Sequence, residues 1–252
     1  MKDFIAAFIF FTRLPLWRVF NVPQDSFKRI LDYWPLTGLL TGATMATIYI
    51  CTQEIGLSQI TSILFAFASR VLLTGALHED GLVDFFDGFG GGRTREKVLA
   101  IMKDSHIGTY GVVGLVLYIA LWVTSMETVL QRFQGYEFII FIVCDMGGKL
   151  CASQIVIYLP YAREEEESKI KTSYEDISPG KLLISILLLF FLLAMCSSLL
   201  QLGLLVPFIT MLLLSWYMKR RIQGYTGDCC GAMFLICELS YIITIAFLWR
   251  FI

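Results

Sequence analysis

Long apolar segments constrain this chain more than any other feature of its sequence. Seven stretches suggest bilayer spans: Pro35–Thr52, Leu57–Leu77, Ile107–Leu130, Phe138–Leu159, Leu182–Leu200, Leu202–Met218 and Cys229–Phe251. A helix needs about 20 apolar residues to span, whereas a barrel strand needs only about 10. Backbone polar groups find no water in hydrocarbon, so segments of this length must be helical. The expected fold is all-α, a polytopic membrane helical bundle of about seven transmembrane helices. No linker divides it, so residues 1–252 form one expected domain. Composition agrees: 57% of residues are hydrophobic, only 16% are charged, and mean hydropathy is +0.70, which excludes an ordinary soluble domain. The run Phe4–Phe11 is too short to span and meets Thr12-Arg13-Leu14-Pro15, so it reads as an interfacial or re-entrant helix rather than a cleavable signal peptide. The pair of stretches around Gln201 reads as two spans joined by a tight turn or as one broken hairpin.

Lysine and arginine placement gives an orientation. With the N-terminus cytoplasmic, the inside segments hold Arg13, Arg18, Lys28, Arg29, Arg93, Arg95, Lys97, Arg163, Lys169, Lys171, Lys181 and Arg220, among others. The outside segments hold Arg132, with Arg250 near the end of the last span. That bias predicts that the loops between residues 78 and 106 and just before the last span face the cytoplasm. The bilayer is the expected partner; no feature calls for a nucleic acid. Seven cysteines, with no CxxC pair, read as small buried apolar side chains.

Against this apolar background one segment stands out, HEDGLVDFFDGFGGGRTREK, from His78 to Lys97. Asp80, Asp84 and Asp87 are spaced i, i+4, i+7 and project from one face of a helix. Three adjacent carboxylates repel unless cations neutralise them. Mg²⁺ takes one or two carboxylates together with substrate phosphates, so the pattern reads as a metal platform for displacement at phosphorus. The plainer reading is a solvated face, but aspartate, with Gly81 and Gly88, is a poor choice for helix stability alone. Gly88–Gly92 could bring backbone amides to a phosphate that Arg93 and Arg95 would bind, or be an ordinary flexible loop. Thr94 opens a short helix through Met102. The candidate proton acceptors are His78, Glu79, Asp104 and His106; the two histidines are the chain's only ones and flank this segment.

Asp228, in Gly224-Tyr225-Thr226-Gly227-Asp228, could cap the last helix or add a further acid to the metal. Arg70, Asp145, Lys149 and Glu238 lie inside apolar stretches, where ionisable groups pair or line a cavity. Asp145 and Lys149, at i and i+4, read as a structural pair. The acidic run Glu164–Glu167 reads as a solvated loop.

These motifs together resemble the cobalamin synthase (adenosylcobinamide-GDP ribazoletransferase) family. The likeness runs nearly end to end, through FFTRLP, WPLTGLLTG, ALHEDGLVDFFDGFGGGRTREKVLAIMKDSHIGTYG and QGYTGDCCGAMFLICEL. Tyr225 stands where members often carry a second glycine. The resemblance implies a Mg²⁺-dependent membrane enzyme that joins α-ribazole, or its 5′-phosphate, to adenosylcobinamide-GDP with release of GMP. It would place Mg²⁺ on Asp80, Asp84 and Asp87, with Asp228 completing the shell. Arg13, Arg93, Arg95 and Thr226 would contact substrate, and Glu79 or His106 would act as base. A homo-oligomer or an association with corrinoid-pathway enzymes is also compatible with it. Two rival readings differ in class. A CDP-alcohol phosphotransferase would carry DGxxAR, whereas Asp80-Gly81 is followed by Leu-Val-Asp-Phe. A transporter would line a path with Arg70, Asp145, Lys149 and Glu238, yet the acids gather at one face and no inverted repeat is visible.

Overall fold

The structure is a computed structural model that describes residues 1–163, 177–196 and 198–248. The Glu164–Glu167 run, Lys169, Lys171 and Arg250 lie outside the described residues, as does the end of the last expected span. Twelve α-helices are described, with 3-10 helices at Leu16–Arg18 and Gln24–Asp32: α1 (Lys2–Phe11), α2 (Trp34–Glu54), α3 (Gln59–Thr74), α4 (Leu77–Gly91), α5 (Arg95–Ile101), α6 (Thr109–Arg132), α7 (Glu137–Ser153), α8 (Ile155–Tyr158), α9 (Pro179–Ala194), α10 (Ser198–Gly203), α11 (Leu205–Ile222) and α12 (Gly227–Leu248). No strand occurs among the described residues beyond one isolated bridge between Tyr161 and Tyr225. The all-α membrane bundle expected from the sequence is therefore the architecture.

Four helical stretches are long and apolar enough to span: Thr109–Arg132, Glu137–Tyr158, Leu200–Ile222 and Gly227–Leu248. The pair α3 and α4 makes a fifth only if counted together, and it bends by 92°. Helix α9 is apolar but has 16 residues. Gln201 sits inside the short α10, so the chain around it is a broken helix rather than a simple turn. The outward faces of α6, α9 and α11 carry Val116, Leu121, Leu187, Phe191, Leu213 and Trp216 exposed, an apolar belt suited to lipid. All seven cysteines are free.

Helix α7 is the central element, with residues 140–153 all buried. Its closest neighbour is α2, and small residues explain the approach. A Cβ on Gly38 would stand 2.6 Å from Met146 Cα, and one on Gly42 would stand 2.5 Å from Ile142 Cα. Gly38-x-x-x-Gly42 is thus a notch into which the α7 backbone fits, the usual device where helices meet without a hydrophobic drive. Gly42→Val overfills it. The variant should lose about 1–3 kcal/mol of stability, read as a lower melting temperature in detergent with Gly180→Ala, whose surroundings are open, as the handling control.

The bend between α3 and α4 has a backbone cause. Gly75 (φ 68°) and Ala76 (φ 58°) are both left-handed, and the Ala76 N–H returns to Val71 O at 2.9 Å. This closes α3 in a Schellman-like turn and sends α4 across the bundle end against α12. There too glycine sets the spacing. A Cβ on Gly81 would meet Asp228 O at 3.0 Å, and one on Gly231 would meet His78 Cα at 3.2 Å. The glycine in HEDG therefore serves helix contact, not only loop freedom.

Candidate active site

Where α4 crosses α12, a cavity of about 280 Å³ opens. Its lining combines His78, Asp80, Arg163 and Asp228 with Tyr161 and Cys230, with Phe10, Phe11, Leu31, Trp34 and Leu77, and with Gly227 and Gly231. Each polar group arrives by a different route. His78 and Asp80 ride the first turns of α4. Asp228 lies in the first turn of α12, whose N-terminus is capped by Thr226, its Oγ1 accepting from Cys229 N–H at 3.3 Å. Asp228 is thus freed from capping and accepts from Arg163 Nη2 at 3.4 Å. Arg163 is positioned by the Tyr161–Tyr225 bridge, in which Ala162 N–H donates to Tyr225 O at 2.8 Å and Tyr225 N–H to Pro160 O at 3.0 Å.

The cavity has polar atoms with nothing to bond. His78, 2% exposed, packs beside the mutually stacked Phe11 and Trp34, its ring nearly parallel to both with centroids 6.1 and 5.7 Å away. Neither of its ring nitrogens has a hydrogen-bond partner among the described residues, and neither do Trp34 Nε1 and Arg163 Nε. Buried polar groups are rarely left so, and Arg70 Nε, Asp145 Oδ2 and both Glu79 carboxylate oxygens, away from the cavity lining, share the condition.

The other sequence candidates divide. Asp80 is exposed at the cavity, and Asp84, half-buried, follows one turn later. Asp87 is buried and committed elsewhere, its two oxygens accepting from Gly108 N–H at 2.7 Å and Gly111 N–H at 2.8 Å. It fastens the start of α6 to α4. Asp104 and His106 form an exposed pair beside Asp87 in a separate, shallower depression. The hydrogen bond and charge of Asp104 raise the His106 pKa, which favours the ring form unable to accept a proton. Arg95 donates to Ile222 O at 3.0 Å and Ala162 O at 2.7 Å, so it braces the loop that carries Arg163. Arg13 lies across Gly75, its backbone N–H donating to Leu73 O at 2.7 Å, and Arg93 is exposed; neither lines the cavity. The glycine run is not a loop: α4 continues through Gly91, its C-terminus held by Arg221 donating to Gly92 O at 2.6 Å. Gly88 and Gly92 make room for Met102 and Val98 around α5, which begins after the Thr94 cap.

Beneath the cavity lies a fully buried ionic cluster. Arg70 donates to Glu238 at 2.6 Å and to Tyr118 OH at 3.0 Å, and stands 3.7 Å from Asp145 and 3.8 Å from Glu79. Tyr118 and Trp122 donate to the other Glu238 oxygen, at 3.0 and 3.1 Å. Lys149 pairs with Asp145, as the i, i+4 spacing predicts, and donates to Thr41 at 2.7 Å. These ions join four helices, α3, α4, α7 and α12, and Thr41, Tyr118 and Trp122 tie in α2 and α6. Glu79 faces Arg70 rather than the cavity, so it is poorly placed as a base.

Sequence reasoning missed Arg163 and the Phe11–Trp34–His78 stack. Arg163 adjoins a run of loop charges, and only its burial, with the side chain 4% exposed, separates it from them.

Asp80 and Asp228 together suit a hard divalent cation that also binds substrate phosphates. Among the described residues no three His, Cys, Asp or Glu side chains are grouped to hold an ion by themselves. Two carboxylates facing one cavity still fit Mg²⁺, which keeps sites open to water and phosphate.

No solved structure matches this chain. It is 37% identical over 246 residues to the adenosylcobinamide-GDP ribazoletransferase of Shewanella sp. strain W3-18-1, covering 94% of this chain and 90% of that one. The protein of the same name from Shewanella oneidensis is 35% identical over 242 residues, with the same coverage. The family model described as cobalamin-5-phosphate synthase matches residues 3–246, and the chain belongs to that family.

Proposed function

We propose that this chain transfers α-ribazole, or its 5′-phosphate, to adenosylcobinamide-GDP at the α4–α12 cavity, with GMP as the leaving group. The observation that carries this reading is the meeting of Asp80, Asp228, Arg163 and His78 on one cavity in a member of this family. A ribose hydroxyl of the nucleoside attacks the phosphorus attached to the corrinoid arm. The new oxygen–phosphorus bond forms as the bond to the bridging diphosphate oxygen breaks, and GMP departs with that oxygen.

Asp80 and Asp228 would hold Mg²⁺, with Asp84 beside them; the ion would neutralise the diphosphate and the charge that develops on the leaving group. Arg163 binds a non-bridging phosphate oxygen through the edge that Asp228 leaves unused. His78 takes the hydroxyl proton, because among His78, Glu79, Asp104 and His106 it alone lines the cavity. The surrounding Phe11 and Trp34 rings keep water from the reacting phosphorus. The excess of lysine and arginine on the segments around the cavity supports a cytoplasmic site in the bacterial inner membrane.

The test is a Mg²⁺ titration of GMP release by purified protein given both substrates. Metal-dependent GMP release matched by a cobalamin product is the expected result. Release of CMP from a CDP-alcohol, with no release of GMP, would replace the reading with the lipid-alcohol rival.

A further inference from the structure

A second hollow opens on the lipid-facing side of the bundle and shares no residue with the α4–α12 cavity. Its volume is about 540 Å³. Tyr110, Val113 and Leu117 of α6, each more than half exposed, line it, and half-buried Phe86 of α4 and Tyr217 of α11 complete it. Glycines hold α4 and α6 together here. A Cβ on Gly114 would run into the Phe86 ring, and one on Gly90 would stand 2.7 Å from the Tyr110 ring. None of the lining side chains is charged. Val113 and Leu117 share a face of α6 with Leu121, so the groove is continuous with the exposed apolar belt.

The position of the groove decides what it can hold. Helix α6 begins at Thr109 and α11 ends at Ile222, so the groove occupies the end of both spans at which α4 crosses. From Thr109 to Leu117 α6 rises roughly 12 Å, and one leaflet's hydrocarbon is roughly 15 Å deep. Water would find few polar partners in such a hollow, whereas an acyl chain matches its depth and its chemistry. The rim is basic. Arg221 lies over the Phe89 and Tyr217 rings at 5.7 and 5.5 Å and donates to Tyr217 OH at 2.7 Å. Arg220, exposed, lies over Trp216 at 4.6 Å. Among the described residues no carboxylate pairs with either arginine.

We propose that this groove binds one anionic phospholipid of the leaflet on the α4 side, with an acyl chain against Phe86, Val113 and Leu117 and the phosphate on Arg220 and Arg221. The uncharged lining selects the chain, and the unpaired guanidinium of Arg220 selects a negative headgroup. Helix α4 carries Phe86 to this groove and Asp80 to the cavity, so a lipid seated here steadies the helix on which the site rests. The proposal does not depend on which reaction the cavity performs.

Native mass spectrometry of the full-length protein, stripped of lipid in a neutral detergent, tests this. Offered equal amounts of phosphatidylglycerol and phosphatidylcholine with the same acyl chains, the protein should retain one phosphatidylglycerol per chain. Its melting temperature should rise with that lipid and not with the other. Leu117→Trp fills the groove from an exposed position and should abolish retention. Arg220→Gln removes a headgroup contact and should weaken retention about fivefold. Lys219 lies about 200° round the helix from Tyr217, so Lys219→Gln is the charge control and should bind like wild type. Equal retention of the two lipids, retention of phosphatidylglycerol by Leu117→Trp, or equal losses in Arg220→Gln and Lys219→Gln would each overturn the proposal. Lipid-free dimers that Leu117→Trp dissociates would overturn it too, and would assign the groove to a second copy of this chain.

Discussion

Arg70→Met should leave almost no folded protein in the membrane. The substitution keeps much of the side chain's bulk and removes the charge that Glu238, Glu79 and Asp145 share. Lys149 alone would then face three buried carboxylates, and it is already engaged by Asp145 and Thr41. Breaking a buried ion pair from one side costs about 3–5 kcal/mol, because the abandoned charge stays in low dielectric. That is a large share of a typical domain's stability. The Arg70 guanidinium also lies over Phe67, Trp122 and Phe234 at 5.2–5.6 Å, so its loss unpacks three rings as well. The check is abundance in washed membranes and melting temperature in detergent. Combining Arg70→Met with Glu238→Leu removes both partners of the shortest pair and should recover part of the loss. If Arg70→Met alone accumulates and melts like wild type, the cluster is not what joins these helices.

The second large effect falls on rate rather than on folding. Arg163→Met should lower kcat/KM by about 10²–10³-fold, the usual cost of removing one donor aimed at a charge that grows in the transition state. Its anchoring does not depend on its own charge. The loop is held by the Tyr161–Tyr225 bridge and by Arg95 on Ala162 O, so the variant should keep its melting temperature. Arg95→Met would act through that loop and should cost less. Arg163→Lys should restore part of the rate, since a point charge can reach one phosphate oxygen but cannot fork onto two. Full activity in Arg163→Met would remove this residue from the site.

Spacing alone pointed to His78, Asp80 and Asp228, which the fold brings to one cavity. The i, i+4, i+7 aspartates do lie on one helix, and Asp228, from the far end of the chain, shares a cavity with Asp80 but not with Asp84 or Asp87. Periodicity shows which residues share a helix face; it does not show which neighbours that face meets. Asp87 belongs to the same acidic row as Asp80, yet the next helix's amides claim it, and only the fold reveals that. Arg95 and Arg13 carry the charge expected of phosphate ligands, but carbonyls and a glycine surface take them. Arg163 looks like one more loop cation until the bridge with Tyr225 turns it inward. The glycines tell the same story. In sequence, Gly81 reads as a cost to the helix and Gly88–Gly92 as a phosphate cradle or a loop, whereas in the fold they are places where another element comes within contact distance.

The central claim is that the acids of the α4–α12 cavity carry the chemistry and that Asp87 carries the architecture. A paired assay of Asp80→Asn and Asp87→Asn tests it most directly, following GMP release at saturating Mg²⁺ beside the melting temperature of each variant. Asp80→Asn is expected to lose GMP release with its melting temperature intact, while Asp87→Asn melts lower and keeps much of its rate where it remains folded. The reverse pattern, a stable but inactive Asp87→Asn beside an active Asp80→Asn, would contradict the account and move the reacting centre to the Asp87, Asp104 and His106 side of α4.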